Sequence, residues 1–289
     1  MISNFNQEHR GLPNYEQYLK DHLGGPDSRL IRFTNYMCPE IEYHCGKLRA
    51  KRVLDFGCGT GATTAAIMQF CDEVVAFDRD QESIEICKQR IREHGFENGP
   101  AVYSADDIDE VKQELGTFDL IVANDVIEHI PLTRSGLRKK IIKTLFHLLK
   151  PQGCLFINSS PNRLYPFDFH TTQLWWLPWS SPGSQWAYTR AQRKGRHTVF
   201  RRISEGALGL EECGTWGITY WEIMNYLGEE GGVCLNTVEG HDRHIFYTSH
   251  GSWKRSAFEF LIYRLGVKLL DAPITAFTPF INNLVIEKR

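Results

Sequence analysis

The fold of this chain is decided by one stretch of its sequence, Val53-Leu-Asp-Phe-Gly-Cys-Gly-Thr-Gly-Ala-Thr-Thr64. It is a short apolar run that breaks into three glycines and then continues in helix-compatible residues. Glycine has no Cβ, so the turn at Gly57, Gly59 and Gly61 can adopt backbone angles that other residues avoid, and a ligand can lie against its main chain. The amides at the start of the next helix add hydrogen-bond donors. The stretch therefore predicts a strand, a ligand-binding turn and a helix.

Strand-like and helix-like segments alternate after this turn as far as residue 160. Apolar runs predict four further buried strands, at residues 73–78, 101–105, 117–124 and 154–158. This alternation predicts an α/β fold with a doubly wound, mostly parallel sheet, which binds ligands at the carboxyl ends of its strands. The glycine spacing is G-x-G-x-G rather than the G-x-G-x-x-G of dinucleotide-binding proteins, which weakens the hypothesis of an NAD-dependent dehydrogenase.

Polar residues follow three of these strands. Asp78 ends the second strand, where a carboxylate can accept hydrogen bonds from both hydroxyls of a ribose. Asp106 and Asp107 follow the third strand, and each of them either binds a ligand or caps the helix predicted from Asp109. The fourth strand continues into Asn124-Asp125-Val126-Ile127-Glu128-His129. All these side chains are expected at one edge of the sheet.

Taken together, these segments resemble the motifs of class I S-adenosylmethionine-dependent methyltransferases. The glycine turn at 55–61, the acid after strand two, the acid after strand three and the D-V-I-E-H turn at 125–129 occur in that family's order. The resemblance is strong over residues 50–160 and implies S-adenosylmethionine as cofactor and S-adenosylhomocysteine as product. It also implies a Rossmann-like sheet of seven strands, with the last strand antiparallel beside the fifth.

The resemblance also implies which residues bind the cofactor. Asp78 would hold the ribose, Asp106 in preference to Asp107 would hold the adenine amino group, and Asn124 and Asp125 would lie near the sulfonium. The full set implied for the cofactor is Asp55, Gly57, Cys58, Gly59, Gly61, Asp78, Arg79, Asp106, Asp107, Asn124, Asp125 and Val126.

The implied reaction is direct displacement, in which a lone pair of the acceptor attacks the sulfonium methyl. This step needs alignment and exclusion of water, and it needs a general base only when the acceptor is a hydroxyl or a protonated amine. His129 and His170 are the candidate catalytic bases, because imidazole titrates near neutral pH and both lie on loops at the carboxyl edge. If His170 is the base, His170→Ala should lower turnover by about a hundredfold or more.

The acceptor is expected to be a small molecule. Its hydroxyl oxygen is the first choice, because the D-V-I-E-H turn resembles that of quinone-biosynthesis O-methyltransferases. A nitrogen acceptor is the second choice, and a protein that binds the cofactor without turnover is the third hypothesis. The formal net charge of −2 and the lack of an added RNA-binding module disfavour nucleic acid as a partner.

Changes of composition divide the chain into four parts: an N-terminal helical cap at 1–49, the cofactor-binding core at 50–160, an aromatic and basic lid at 161–215, and the completion of the core at 216–289. In the cap, Arg32, Tyr36 and Tyr43 either pack on the sheet or contact a ligand. In the last part, Thr219 and Glu222 form a capping-box pattern.

Two strands and a long helix are predicted in that last part. The strands are expected at 234–238 and 281–287, and the helix between them at 252–270. In the core, the helix predicted at 138–149 is amphipathic. Its basic residues are expected to face water, and they are Arg138, Lys139, Lys140 and Lys143.

The lid carries a cluster of aromatic residues and, at 190–202, a run of six basic residues without an acid. Three roles stay open for the basic run. It binds a phosphate or carboxylate of the acceptor, or it makes peripheral contact with an anionic membrane beside the tryptophans and the helix at 252–270, or its charges are simply solvated. The aromatic residues are Trp175, Trp176, Trp179, Trp186 and Tyr188.

The eight cysteines are scattered without a C-x-x-C pair and are expected to be reduced. Neither Cys38, His44 and Cys45 nor the stretch 241–244 has the spacing of a metal site, so no metal is expected. The chain shows no apolar run long enough for a signal sequence or a membrane span, which favours the cytoplasm.

Overall fold

The computed structural model describes residues 28–96, 99–134, 136–195, 201–202, 206–207, 209–236 and 268–289. Its centre is a seven-stranded sheet with the order β3-β2-β1-β4-β5-β7-β6. The first five strands are parallel, and β7 is antiparallel to both β5 and β6. This confirms the predicted sheet and its antiparallel last strand. The strands are β1 Arg52–Phe56, β2 Glu73–Asp78, β3 Ala101–Ser104, β4 Phe118–Asn124, β5 Leu149–Asn158, β6 Gly232–Cys234 and β7 Leu284–Lys288.

Helices cover both faces of this sheet. The first two are joined by a π-helical turn, Phe33–Met37. The α-helices are α1 Ser28–Arg32, α2 Cys38–Cys45, α3 Ala62–Met68, α4 Gln81–Glu93, α5 Ile108–Leu115, α6 Leu137–His147, α7 Gln185–Arg193 and α8 Tyr220–Leu227, with a short helix at Lys268–Leu270. Short 3₁₀ helices lie at Ile127–His129, Gly228–Glu230 and Ile274–Phe277. Two-residue strands pair Ser160–Pro161 with Phe280–Ile281, and Arg201–Arg202 with Gly206–Ala207.

Apolar side chains that alternate between the two faces of the sheet form two hydrophobic cores. In β4, Leu120 and Val122 pack on one face with α1, α2 and α3, whereas Ile121 packs on the other face with α5, α6 and α8. All three residues are fully buried. Successive side chains of a strand point to opposite faces, so a strand covered by helices on both sides must be apolar throughout.

Several element boundaries differ from the prediction. Strand β5 begins at Leu149 rather than 154. Its pairing with β4 shifts register between Phe118, which lies opposite Leu149, and Leu120, which lies opposite Cys154, and this shift accommodates Pro151-Gln-Gly. The strand predicted at 234–238 overlaps β6 only at Cys234, because β6 spans Gly232–Cys234. Residues 235–236 follow this strand, and residues 237–238 lie outside the described part. The capping box of Thr219 and Glu222 at the start of α8 is confirmed.

The prediction that Arg138 faces water is wrong. Arg138 is 3% exposed, because it lies one turn before Ile142 on the apolar face of α6. Lys139 and Lys140 do face solvent, as predicted.

Parts of two further predictions fall outside the described residues. They are the stretch 241–244 and all of the 252–270 helix except Lys268–Leu270. In the described part of the chain, none of the helices combines the length and the apolar character needed to cross a bilayer.

Candidate active site

The glycine turn closes against its neighbours so tightly that Gly57 cannot carry a side chain. The amides of Gly57 and Cys58 both donate to the Phe77 carbonyl of β2, at 2.8 and 3.0 Å. Gly57 has a φ of 72°, and a Cβ there would lie 2.3 Å from Cγ2 of Val126. Gly59, with a φ of 50°, instead faces open space. The turn is therefore packed against Val126 at Gly57 but open at Gly59, where a ligand can approach its backbone.

Asp78 holds the open side of this turn in place. One oxygen of its carboxylate accepts the Gly59 amide at 2.8 Å, and the other accepts the Asp80 amide at 2.9 Å. Arg79 follows directly and is half-buried. A carboxylate oxygen has a second lone pair, so Asp78 can keep both bonds and still accept from ligand hydroxyls.

Asp55 lies beneath the turn rather than in the cleft. It is 1% exposed and accepts the Thr64 hydroxyl at 2.6 Å, which joins β1 to α3. Burial, together with the charge of Asp78, raises the pKa of Asp55 to about 7. Cys58 is also buried, and a hydrogen bond with Cys87 together with burial raises its pKa. Gly61 is equally enclosed, because a Cβ there would lie 2.6 Å from the sulfur of Cys87.

A cleft opens between the glycine turn and the end of β4. Of the residues predicted for the cofactor, Gly57, Cys58, Gly59, Asn124 and Asp125 line it. Its other walls come from the turn and from neighbouring helices, through Arg29, Phe33, Thr60, Ala62, Thr63 and Ser83.

The contribution of α1 and the π-helical turn to this cleft was missed by the sequence analysis, which named Arg32, Tyr36 and Tyr43 instead. Arg29 and Phe33 line the cleft, whereas those three side chains are exposed. The sequence carried a weak signal, since Arg29 and Phe33 are four residues apart and lie on one helix face.

The two acids after β3 have different surroundings. Asp107 is the N-cap of α5: its side chain accepts the Asp109 amide at 3.0 Å and pairs with Lys140 at 2.7 Å. Asp106 is exposed at the carboxyl end of β3. Asp107 thus takes the capping role, which leaves the side chain of Asp106 as the one available at the sheet edge.

Asparagines fix the end of β4. Asn124 is buried, donates to the Thr63 hydroxyl at 3.0 Å and accepts from Asn158 at 2.8 Å. The Asp125 amide donates to the Asn158 carbonyl at 2.9 Å. Asp125 itself has a φ of 60°, an uncommon conformation for a residue with a side chain. These contacts hold the Asp125 carboxylate in the cleft.

Asp125 faces positive charge on two sides. Its carboxylate lies 3.2 Å from a guanidinium nitrogen of Arg29 and 3.7 Å from Nε2 of His170. Burial alone would raise the pKa of Asp125, but His170, Arg29 and His129 outweigh burial and hold this pKa below its usual range. Asp125 is therefore an anion at neutral pH.

Beyond Asp125, three side chains form what we call the His–Glu cluster: Glu128, His129 and His170. One ligating atom from each lies within 4.8 Å of the other two, and the imidazole centroids are 5.5 Å apart. Burial and the charge of Asp125 raise the pKa of Glu128 to about 8. Burial lowers the pKa of His170, but Asp125 and Glu128 outweigh it and raise this pKa to about 9. The two predicted catalytic histidines are thus brought together.

The end of the lid holds both imidazoles through backbone carbonyls. Nδ1 of His129 lies 2.6 Å from the Glu212 carbonyl oxygen, and Nδ1 of His170 lies 3.1 Å from the Cys213 carbonyl oxygen. Gly214, with a φ of 84°, packs against the cluster, since a Cβ there would lie 2.8 Å from Cγ of Glu128. This segment was not singled out from the sequence.

Asp168 fixes the loop that carries His170. It is 2% exposed and accepts four hydrogen bonds of 2.7–3.0 Å, from the amides of His170, Thr171 and Thr172 and from the Thr172 hydroxyl. Aspartate is a common turn residue because its side chain can accept from the backbone amide two residues on, and this preference could have identified the anchor.

Arg138 supports the opposite side of the cluster. Its guanidinium donates to the carbonyls of Glu128 at 3.2 Å, Ile130 at 2.7 Å and Gly217. Burial lowers the pKa of Arg138 to about 10, so it stays charged at neutral pH. Arg138 therefore ties α6 to the D-V-I-E-H turn and to the segment that follows the lid.

The lid also exposes a row of aromatic rings. Trp175, Trp176 and Trp179 are each more than half exposed, and successive rings contact each other at 6.2 and 5.6 Å. On α7, the guanidinium of Arg190 lies over the ring of Trp186 at 5.4 Å. Beyond residue 195, no side chain of the predicted basic run is described.

The sequence of this chain is similar to those of known proteins. A family described as "Methyltransferase domain" matches residues 47–181. The ubiquinone biosynthesis O-methyltransferase of Bordetella pertussis is 31% identical over 205 residues, which cover 68% of this chain and 77% of that protein. Its counterpart from Bordetella avium is 27% identical over the same shares. The solved structure of magnesium protoporphyrin IX methyltransferase from Synechocystis, with bound SAH, is 17% identical over 81% of this chain and 84% of that one, with a TM-score of 0.46.

Proposed function

Since the chain belongs to the class I S-adenosylmethionine-dependent methyltransferases, we propose that it transfers the methyl group to a hydroxyl oxygen of a small molecule. S-adenosylmethionine is its cofactor, and S-adenosylhomocysteine is the product that leaves. The observation that carries the proposal is the position of the His–Glu cluster, which contacts the cofactor cleft through Asp125. A hydroxyl must lose its proton, and such a cluster provides groups that can assist this loss.

In this proposal the cofactor lies along the carboxyl ends of β1 to β4. Its ribose hydroxyls donate to Asp78, its adenine amino group to Asp106, and its methionine part lies on the glycine turn. The sulfonium then lies beside Asn124 and the anionic Asp125, whose charge complements it. Asp55, Gly61 and Val126 support the turn from below, and Asp107 caps α5.

His129 is the better candidate of the two histidines for accepting the acceptor's proton. A base must be unprotonated at the working pH, and the pKa of about 9 keeps His170 protonated at neutral pH. His170 instead pairs with Asp125 and helps to hold its carboxylate. The methyl then moves in line from sulfur to oxygen, and the neutral thioether leaves.

The test is methyl transfer by the purified full chain to matched pairs of phenols and anilines, with mass spectrometry and NMR of the product. We expect O-methylated product, and His129→Ala should lower turnover by about a hundredfold. His147→Ala is the matched control, because His147 is exposed at the end of α6 and pairs with Glu230 rather than with the cluster. Methylation of the anilines alone would contradict the proposal, as would cofactor binding without transfer to any acceptor.

We further propose that the tryptophan row and α7 make peripheral contact with an anionic membrane surface. The exposed tryptophans of the row, and Trp186 beside Arg190 on α7, match the amphipathic rings and basic residues that favour such surfaces. Co-sedimentation with phosphatidylserine vesicles should fall about tenfold when Trp175 and Trp176 are changed to serine, since each lost aromatic contact weakens binding. Equal sedimentation of this variant and the wild type would contradict the contact.

A further inference from the structure

We propose that Asn158 is a positioning residue for the cofactor. It acts through Asn124 to direct the hydroxyl of Thr63 at the carboxylate of the cofactor's methionine part. The proposal rests on the proposed function only for the placement of the cofactor in the cleft, and the nature of the acceptor does not enter it. The sequence pattern gives no sign of this role, since the three side chains lie on three different elements, α3, β4 and β5. Its basis is a series of hydrogen bonds whose direction is fixed from one end.

The series begins at a main-chain amide. The Asn283 amide, just before β7, donates to Oδ1 of Asn158 at 3.0 Å. A backbone N–H can only donate, so this bond determines which end of the Asn158 side chain faces β7. Asn236 holds the same segment, because it accepts the Val285 amide at 2.6 Å and donates to the Asn283 carbonyl at 2.7 Å. The orientation of Asn158 is therefore set by the backbone around β7.

This direction passes to Thr63 through Asn124. Since Oδ1 of Asn158 faces Asn283, its Nδ2 donates to Oδ1 of Asn124 at 2.8 Å. Nδ2 of Asn124 then faces Thr63 and donates to the hydroxyl oxygen at 3.0 Å. The side chains of Thr63, Asn124 and Asn158 are all buried, which strengthens hydrogen bonds between them. Each bond in the series therefore fixes the direction of the next.

The Thr63 hydroxyl keeps its hydrogen for a ligand. Its oxygen accepts from Asn124, and a hydroxyl has one hydrogen to donate. Among the described residues none accepts this hydrogen, whereas the hydroxyl of the neighbouring Thr64 donates to Asp55 at 2.6 Å. Thr63 lines the cleft, and in the described part of the chain Asn158 does not. A ligand in the cleft therefore meets a hydroxyl that is oriented as a donor.

The methionine part of the cofactor offers one strong acceptor for this donor. Its ammonium group donates hydrogen bonds, and its sulfonium carries a positive charge, so the carboxylate is the group that accepts. Hydrogen bonds to charged groups are stronger than those between neutral groups. A donor at Thr63 should therefore favour a ligand with the carboxylate over an analogue that lacks it.

Asn158 is needed to keep this donor available. Without its amide, the carboxamide of Asn124 can turn over, so that Oδ1 of Asn124 accepts the Thr63 hydroxyl and takes its hydrogen away from the cleft. The Asp125 amide is not affected, because it donates to the backbone carbonyl of Asn158. A change of the Asn158 side chain should therefore reach the carboxylate through Asn124 and Thr63.

The experiment is isothermal titration of the full chain with S-adenosylhomocysteine and with its decarboxylated analogue, which keeps the ammonium group and the thioether. We expect the wild type to bind S-adenosylhomocysteine at least tenfold more tightly than the analogue. Thr63→Val should reduce this ratio about tenfold by weakening S-adenosylhomocysteine alone, whereas Thr63→Ser keeps the hydroxyl and should retain the ratio. Thr144→Val is the matched control, because the Thr144 hydroxyl on α6 donates to Asp109.

Asn158→Leu tests the positioning role, since it removes the amide at nearly the same size. It should reduce the ratio about fivefold in the wild type but less than twofold in the Thr63→Val background, where the hydroxyl is already absent. A side chain that only supports the fold would weaken both ligands and leave their ratio unchanged. Asn158→Ala is a second variant of the same design, and circular dichroism shows that each variant is folded.

Equal affinity of the wild type for the two ligands would overturn the proposal, and so would a Thr63→Val variant with an unchanged ratio. A reduction by Asn158→Leu that is as large in the Thr63→Val background as in the wild type would overturn the positioning role. Methyl transfer to nitrogen alone would contradict O-methylation and leave these ratios as they are, so the two proposals fail separately.

Discussion

The cleft proposed for the cofactor and the His–Glu cluster meet at Asp125, yet the chain builds them in different ways. The cleft is formed mainly by one continuous strand–turn–helix unit and by the ends of neighbouring strands. The cluster combines the D-V-I-E-H turn with the loop around Asp168 and the end of the lid near Gly214, which are far apart in sequence. Substitutions in the cleft should weaken cofactor binding. Changes in the loops that form the cluster should instead alter which acceptor is methylated. Substitutions should therefore affect cofactor binding and methyl transfer separately.

The largest effect is expected for Arg138→Met, which removes the cation that ties α6 to three carbonyls. Leaving these buried carbonyls unsatisfied should lower the free energy of unfolding by about 3–5 kcal/mol, as measured by urea denaturation. Lys139→Met is the control, since Lys139 is exposed beside it. Equal stability of the two variants would show that Arg138 does not support the cluster.

Next comes Gly57→Ala, which tests the cofactor region alone. The new Cβ would lie 2.3 Å from Val126 and force the turn to shift, so affinity for S-adenosylhomocysteine should fall about a hundredfold, or about 3 kcal/mol. Gly46→Ala is the matched control: Gly46 has a φ of 77° but open space around its Cα. It should cost about 1–2 kcal/mol of stability and leave the affinity unchanged. An unchanged affinity for Gly57→Ala would contradict the tight packing of the turn.

A smaller effect, confined to the cluster, is expected for Asp168→Asn. The amide keeps one acceptor oxygen but loses the charge, so the His170 loop should loosen and turnover should fall about tenfold. Affinity for S-adenosylhomocysteine should not change, because Asp168 lies outside the cleft. The exposed Glu110→Gln provides the control. A loss of cofactor affinity in Asp168→Asn would mean that the two regions are not separable.

Sequence patterns predict the fold around the glycine turn well because its residues lie in short, ordered motifs. The strand alternation, the glycine turn and Asp78 all depend on local geometry, which the spacing of residues records. Arg138 shows the limit of that approach. Its charge suggested solvent, but its position one turn before Ile142 placed it on the buried face, where backbone carbonyls replace water.

The support of the cluster could not be predicted in the same way. His129 and His170 were named from their positions after strands, but their contacts with Glu212 and Cys213 depend on how the lid folds back. Backbone carbonyls have no sequence signature, so a segment that acts through them is recognised only in the structure. The same applies to Arg29, whose role depends on the packing of α1 over the cleft.

The most direct test is a crystal structure of the full chain with bound S-adenosylhomocysteine. The account predicts that the ribose hydroxyls contact Asp78 and that the sulfur lies beside Asn124 and Asp125. The face of the sulfur from which the methyl is lost should then point toward Glu128, His129 and His170. A sulfur directed away from these three side chains would contradict the claim that methyl transfer takes place at the His–Glu cluster.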